Sequence, residues 1–235
     1  MNKKVLIVDD EKTIVDILNL NLKMAGYDTV CAHDGKTGLA LALSERPDLI
    51  LLDVMLPYMD GFTVCQEFRK TDTLTPVIML TAREEERDMI YGLGVGADDY
   101  ITKPFSIRAL LARVQTNIRR SVNVSPAPEP VRSEISLGRI SLDPSRSTAF
   151  KDGLMLDLTQ REYDLLLFLT KEPGRVHSRE ELMQEVWQYD YYGDLRAVDV
   201  AVRRLREKVE DDAANPSYIL TKRGVGYYFA MPMEA

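Results

Sequence analysis

Cysteine is nearly absent. Cys31 and Cys65 are the only two in 235 residues, too few and too far apart for a disulfide framework or a zinc site. They read as free core or surface thiols in a reducing cytoplasm. Histidine is as scarce, and His33 and His177, each standing alone, read as turn or surface residues rather than metal ligands. No apolar run approaches the roughly eighteen residues of a membrane span, and the Met-Asn-Lys-Lys start lacks the apolar core of a signal peptide. A cytoplasmic chain with no membrane partner is expected. An excess of positive charge is missing too: at a net charge of −7, any case for a nucleic-acid partner has to come from local clustering. What remains is an ordinary soluble composition, 45% hydrophobic and 29% charged, at a length that suits two domains better than one.

The first domain is organised around Leu49-Ile50-Leu51-Leu52-Asp53-Val54-Met55-Leu56-Pro57. Four consecutive branched apolar residues predict a strand buried on both faces, as in a parallel sheet covered by helices. Asp53 closes the run, and Pro57 forbids continuation of the ladder. The acid therefore stands at the carboxyl end of a central strand, where an open α/β sheet places its ligand site. Ionised beside that much apolar surface, it needs positive charge held against it.

The pattern around it alternates. Strands are expected at Lys4–Val8, Thr29–Ala32, Leu49–Asp53, Pro76–Thr81 and Tyr100–Thr102, with helices after each, including Glu84–Leu93 and Ser106 to about Arg120. Five such repeats mean a doubly wound parallel sheet of the flavodoxin-like class. Asp9 and Asp10, Asp53, Thr81 and Lys103 then converge at one sheet edge. Singly, each has a plain reading: Asp10 as a helix N-cap, Thr81 as a strand end, Lys103 as a solvated lysine. Together, three carboxylates repel one another beyond what Lys103 neutralises. A hard divalent cation, Mg²⁺ by preference, resolves this, and acid, metal, hydroxyl and ammonium make a phosphoryl-acceptor arrangement. Two other phosphate readings fail. Gly35-Lys36-Thr37 resembles the tail of a P-loop, but its leading glycine would fall at Val30. A haloacid-dehalogenase phosphatase needs an acid two residues past its nucleophile, where Met55 stands.

Val8-Asp9-Asp10-Glu11, Leu52 through Pro57, Asp60-Gly61, Thr81-Ala82 and Lys103-Pro104-Phe105 resemble, in order and spacing, the receiver domain of two-component response regulators over residues 1–120. The resemblance implies that Asp53 accepts a phosphoryl group from a histidine kinase. Asp10, Asp53 and the Met55 carbonyl would hold Mg²⁺, with Asp9 acting through water. It further implies that Lys103 and Thr81 grip the phosphoryl oxygens, that Tyr100 turns inward as Thr81 moves, and that the Lys103-Pro104 bond is cis.

Ser121–Val131, with three prolines and no glycine, predicts a semi-extended linker. From 132 to 235 the pattern changes to short strands and helices. Ile135, Leu137, Ile140 and Leu142 alternate around Gly138, and Thr148–Lys151 and Leu154–Leu158 flank the hairpin signal Asp152-Gly153. Thr159 with Glu162, and Ser178 with Glu181, are capping boxes; Gln188–Asp194 is a polar loop. The helix Arg196–Val209 has Val198, Val202, Leu205 and Val209 as its inner stripe and a basic outer surface. Tyr218–Thr221 and Gly226–Phe229, with Lys222-Arg223-Gly224-Val225 between them, make a basic-tipped hairpin beside it. That is a winged helix, with the helix for the major groove and the wing for the minor groove or backbone.

Leu158-Thr159, Glu162, Pro173-Gly174, Ser178-Arg179-Glu180, Arg196, Val198-Asp199-Val200, Arg203–Arg206 and Arg223-Gly224-Val225-Gly226-Tyr227 are similar to the OmpR/PhoB-type effector domain. This similarity implies phosphate contacts from Arg196, Arg203, Arg206 and Thr221, a base edge read by Arg204, and Arg223 in the minor groove. Ala197 and Ala201 depart from the family, where Thr and His are common, and somewhat weaker non-specific binding is expected. The whole reads as a phosphorylation-switched transcription regulator, not an enzyme, binding direct repeats of double-stranded DNA. It would pair as a homodimer through the fourth helix, fifth strand and fifth helix of the receiver. RNA polymerase is a further partner such an effector can have. Of the family's inter-subunit ion pairs, Asp98 or Asp99 with Arg113 is retained, whereas Tyr91 with Ala109 and Gly94 with Gln115 replace two others. The alternatives are a regulator of this fold independent of phosphorylation, and a phosphoryl-transfer enzyme.

Overall fold

Val5, Leu6, Ile7 and Val8 have no exposed surface, as a strand covered on both faces must. They belong to β1 (Lys4–Val8), in a five-stranded parallel sheet whose other strands are β2 (Asp28–Ala32), β3 (Leu49–Asp53), β4 (Val77–Ala82) and β5 (Asp99–Lys103). The structure is a computed structural model and describes residues 2–82, 95–122, 135–187 and 195–230. It divides into two compact units, Met1–Asn123 and Val124–Ala235.

The strand order of the first unit is β2-β1-β3-β4-β5, the flavodoxin-like doubly wound order with its switch point between β1 and β3. Asp9 follows the first of these strands and Asp53 ends the second, so the two acids flank the crevice. One sheet face, with Val5, Ile7, Leu49, Leu51, Ile78 and Leu80, shares a core with α1 (Lys12–Met24) and α4 (Ile107–Val122). On α2 (Gly35–Glu45), a Cβ at Gly38 would lie 2.6 Å from Val8, so glycine permits close helix–sheet approach. Asp34 and Asp60 cap α2 and α3 (Gly61–Arg69) by accepting from the backbone N–H of Thr37 and Thr63. The helix expected at 84–93, with Tyr91 and Gly94, lies outside the described residues. Ser121 and Val122, expected in the linker, complete α4; 123–131 are not described.

The second unit opens with an antiparallel sheet, β6 (Ile135–Leu137), β7 (Ile140–Asp143), β8 (Thr148–Lys151) and β9 (Leu154–Met155), in sequential order. Asp152 and Gly153 turn the β8–β9 hairpin with φ of 53° and 77°, the left-handed pair a two-residue turn requires. β9 ends at Met155, short of the Leu158 expected. Thr159 and Glu162 form a complete capping box on α5 (Gln160–Lys171). Ser178 likewise accepts from Glu181 N–H at the start of α6 (Arg179–Leu182), which continues as a wider π turn through Trp187. The Glu181 carboxylate, however, turns to Arg175 at 2.7 Å and to His177 Nδ1 at 3.0 Å. His177 is thus no surface histidine: it is 1% exposed in β10 (His177–Ser178), with its ring 4.8 Å from that of Phe168. Residues 188–194 are not described. The helix α7 (Arg196–Val209) buries Val198, Val202, Leu205 and Val209. β10, β12 (Gly226–Phe229) and β11 (Ile219–Lys222) form the second sheet, and the last two are the hairpin.

Candidate functional site

Asp53 is 4% exposed and Asp9 fully buried; the first ends β3 in register with Leu80, and the second directly follows β1. Lys103, at the end of β5, crosses between them: its Nζ lies 2.8 Å from Asp9 Oδ2, 3.0 Å from Asp53 Oδ1 and 3.6 Å from Glu11 Oε1. Burial drives the Asp53 carboxyl up. Lys103 offsets part of that, Asp9 and Asp10 add to it, and its pKa settles at about 6. Burial pulls the Lys103 ammonium down, but its hydrogen bonds to Asp9 and attraction to Asp53 outweigh this and leave it raised. Asp10 is exposed and does not cap α1; the cap position is Glu11, with no side-chain cap bond. The plain N-cap reading of Asp10 therefore fails, and its carboxylate remains for the pocket.

Asp9, Asp10 and Asp53 each bring a carboxylate oxygen within 4.8 Å of the others. An all-oxygen set with surplus negative charge suits a hard cation such as Mg²⁺ and not a thiolate- or imidazole-loving metal. Met55 follows on the β3–α3 loop and is 65% exposed. Thr81 is 4% exposed on β4, in register with Thr102. Tyr100 is half-buried, and its carbonyl accepts from Arg113 at 2.8 Å. The Lys103-Pro104 bond is cis. The loop after Asp53 folds back so tightly that a Cβ on Gly61 would lie 2.1 Å from the Asp53 carbonyl oxygen, a constraint that the Asp60-Gly61 pair signalled without explaining.

In the second unit the outer face of α7 carries Arg196, Val200, Arg203 and Glu207, a stripe at helical spacing. Arg203 is 78% exposed and 3.2 Å from Glu207. Arg204 is placed differently from the base-reading role expected of it. Its guanidinium turns inward to Glu162 at 2.9 Å with 13% of the side chain exposed, and Lys208 reaches the same acid at 2.7 Å. Arg204 adjoins the buried Leu205, at the border of the inner stripe, and there α5 supplies an acid. Arg206 donates from Nε to the Ile219 carbonyl and from Nη2 to Thr221 Oγ1, both at 2.8 Å. Arg206 and Thr221 thus meet each other between helix and hairpin. Arg223 is exposed at the hairpin tip. Ala197 and Ala201 are 2% and 8% exposed, beside the outer stripe rather than on it.

Three acids to which the sequence reading gave no place in the DNA-facing surface organise it. Glu162 holds two cations of α7. Glu210 accepts from the backbone N–H of Ser217, Tyr218 and Ile219 at 2.8, 3.0 and 2.8 Å, setting where β11 starts. Asp199 accepts from Tyr227 Oη at 2.6 Å and from Arg179 Nε at 2.7 Å. The partners of Glu162 and Asp199 are distant in sequence, whereas those of Glu210 lie seven to nine residues on.

Residues 5–115 match the family described as response regulator receiver domain, and 153–229 match transcriptional regulatory protein, C terminal. Among solved structures, a mutant of RitR is 30% identical over 98% of this chain and 100% of that chain, with a TM-score of 0.76. The response regulator DrrB of Thermotoga maritima, described as an OmpR/PhoB homolog, is 33% identical over 98% and 100%, at a TM-score of 0.51. A third, described as belonging to a novel family of redox sensors in the streptococci evolved from two-component response regulators, is 29% identical over 98% and 100%, at 0.50. With a receiver domain followed by a transcriptional-regulatory domain, the chain belongs to the OmpR/PhoB family of two-component response regulators.

Proposed function

We propose that Asp53 accepts a phosphoryl group from a histidine kinase and that this switches DNA binding by the second domain. The observation carrying the proposal is the pairing of a buried, charge-strained Asp53 with Lys103 3.0 Å away, beside two further acids. An oxygen of the Asp53 carboxylate bonds to phosphorus as the phosphorus–nitrogen bond of a phosphohistidine breaks, and the imidazole leaves with the electron pair. Such transfer needs positioning and charge neutralisation more than covalent help. Lys103 and Thr81 hold the phosphoryl oxygens, and Tyr100 follows Thr81 inward. Asp10, Asp53 and the Met55 carbonyl would hold Mg²⁺, with Asp9 through water; the ion supplies further neutralisation of phosphoryl charge.

The output is a dimer on direct repeats of duplex DNA, in a reducing cytoplasm, acting on transcription by RNA polymerase. Arg196 and Arg203 serve the phosphate backbone and Arg223 the minor groove. Arg206 and Thr221 meet phosphate from the seam between helix and hairpin. The family is one of DNA-binding regulators rather than a known enzyme class, and of the described helices none is long and apolar enough to cross a membrane. The test is DNA affinity with and without a small phosphodonor and Mg²⁺. The proposal expects a gain for the parent and none for Asp53→Asn. Equal gain in both would place the switch elsewhere, no gain would favour a phosphorylation-independent regulator, and continuous turnover of the donor would favour an enzyme.

A further inference from the structure

The recognition helix is tied to both strands of the wing, to β11 through Arg206 and to β12 through Tyr227. Tyr227, on β12 and 6% exposed, donates its phenol to Asp199 Oδ1 in the first turn of α7 at 2.6 Å. Arg179, first residue of α6, donates to the same oxygen at 2.7 Å and from Nη2 to the phenol oxygen at 3.3 Å. The Tyr227 ring carries two guanidinium groups, Arg179 at 5.0 Å and Arg206 at 5.6 Å from its centroid, each a cation over an aromatic face. Arg206 in turn bonds both Ile219 and Thr221 on the other wing strand. Behind the wing, a Cβ on Gly226 would lie 1.9 Å from the His177 carbonyl oxygen, so glycine is what lets β12 lie this close to β10. An aspartate this near the DNA-facing stripe would repel phosphate if it stood free; here it is neutralised by Arg179 and turned toward the wing.

We infer that Tyr227 and Asp199 are positioning residues that fix the offset between the major-groove helix and the wing, so that the two read DNA as one rigid unit. This rests on the DNA-binding reading above. The chemistry favours a lock over simple core filling. The phenol is half of a charge-assisted hydrogen bond, and burial followed by its bond to Asp199 pushes its pKa up to about 12, so it remains a donor. Removing the hydroxyl leaves the ring's packing intact but cuts the tie between β12 and the first turn of α7, so that Arg206 alone, near the other end of the helix, is left to hold the wing. The wing then loses register with the groove, and whatever Arg223 contributes at the wing tip is lost with it.

The test is a double-mutant cycle on the full chain, activated with beryllofluoride and Mg²⁺, binding a duplex selected by the parent from a randomised pool. Arg223→Ala should weaken the parent by roughly tenfold, and Tyr227→Phe by a similar factor. In the Tyr227→Phe background, Arg223→Ala should cost less than about threefold, since coupled sites are not additive. Asp199→Asn, which keeps an accepting oxygen, should preserve the full Arg223 effect, and Asp199→Val should abolish it. Thermal unfolding of each variant separates loss of fold from loss of register: a merely structural Tyr227 lowers stability and leaves the Arg223 effect at tenfold. Additive losses with the parent binding normally would overturn the lock alone. A parent that selects no duplex would overturn the DNA-binding reading and the lock with it.

Discussion

Glu162 holds Arg204 at 2.9 Å, with 2% and 13% of the two side chains exposed. An acid on α5 thereby takes the arginine that sequence similarity assigns to a base edge. Arg204→Ala should leave the buried Glu162 with Lys208 and its capping-box bond to Thr159 N–H, and cost about 2 kcal/mol of stability. Arg203→Ala, at a site 78% exposed, should change stability by less than about 0.5 kcal/mol while lowering the salt slope of DNA binding by about one unit. Urea unfolding and salt-dependent titration check both. An Arg204 variant of parental stability would return that residue to the DNA face.

The raised Asp53 has a defined stability consequence. Its ordinary value is 3.8 and its folded value about 6, so across that window the folded state holds more protons than the unfolded one. Stability must therefore fall as pH rises from about 4 to about 6 and level off above. In metal-free buffer Asp53→Asn removes the penalty. It should melt higher than the parent at pH 7.5, with the difference vanishing near pH 4. A difference that is constant with pH would show that Asp53 ionises without strain.

Lys103 spans Asp9 and Asp53, so its loss should affect the switch more than the fold. Lys103→Ala is expected to label slowly from a small phosphodonor and to gain little dimer affinity on labelling. Labelling and sedimentation on one preparation decide this. A variant that does both as the parent does would remove Lys103 from the mechanism.

Within the subunit, Arg113 already donates to Asp99 at 2.9 Å, and the buried Asp98 is held by Arg69 at 2.6 Å. Asp98 is therefore not on offer to a partner, and the Asp99–Arg113 pair is satisfied in cis. An activated receiver dimer should then rest on contacts other than ion pairs, and its association constant should depend weakly on salt. Sedimentation of the full chain with beryllofluoride at low and high ionic strength measures this. A steep loss of dimer in salt would mean that Arg113 exchanges partners across the interface.

Where sequence and structure agree, the physics is local. A sheet buried on both faces has to be written as continuous apolar runs, and a polar residue ending such a run has few places to go; hence Asp9, Asp53, Thr81 and Lys103 were legible together. Thr159 and Asp152-Gly153 were legible because caps and tight turns are decided within four residues. The residues that escaped are those decided by a distant partner. Arg204 sits at the border of a helix stripe, and which way it turns depends on Glu162 on another helix. His177 looks like a loop residue until Phe168 and Glu181 enclose it. Asp98 and Asp99 are adjacent, yet Arg69 and Arg113, from different helices, divide them. No periodicity encodes such choices.

The most direct test is to locate the phosphoryl group. The full chain is incubated with a small phosphodonor and Mg²⁺, the acyl phosphate is trapped by borohydride reduction, and the reduced residue is found by peptide mass spectrometry. The account predicts one labelled residue, Asp53, with no label in Asp53→Asn and none without a divalent cation. Label at Asp9 or Asp10, or at comparable rate in Asp53→Asn, would contradict it.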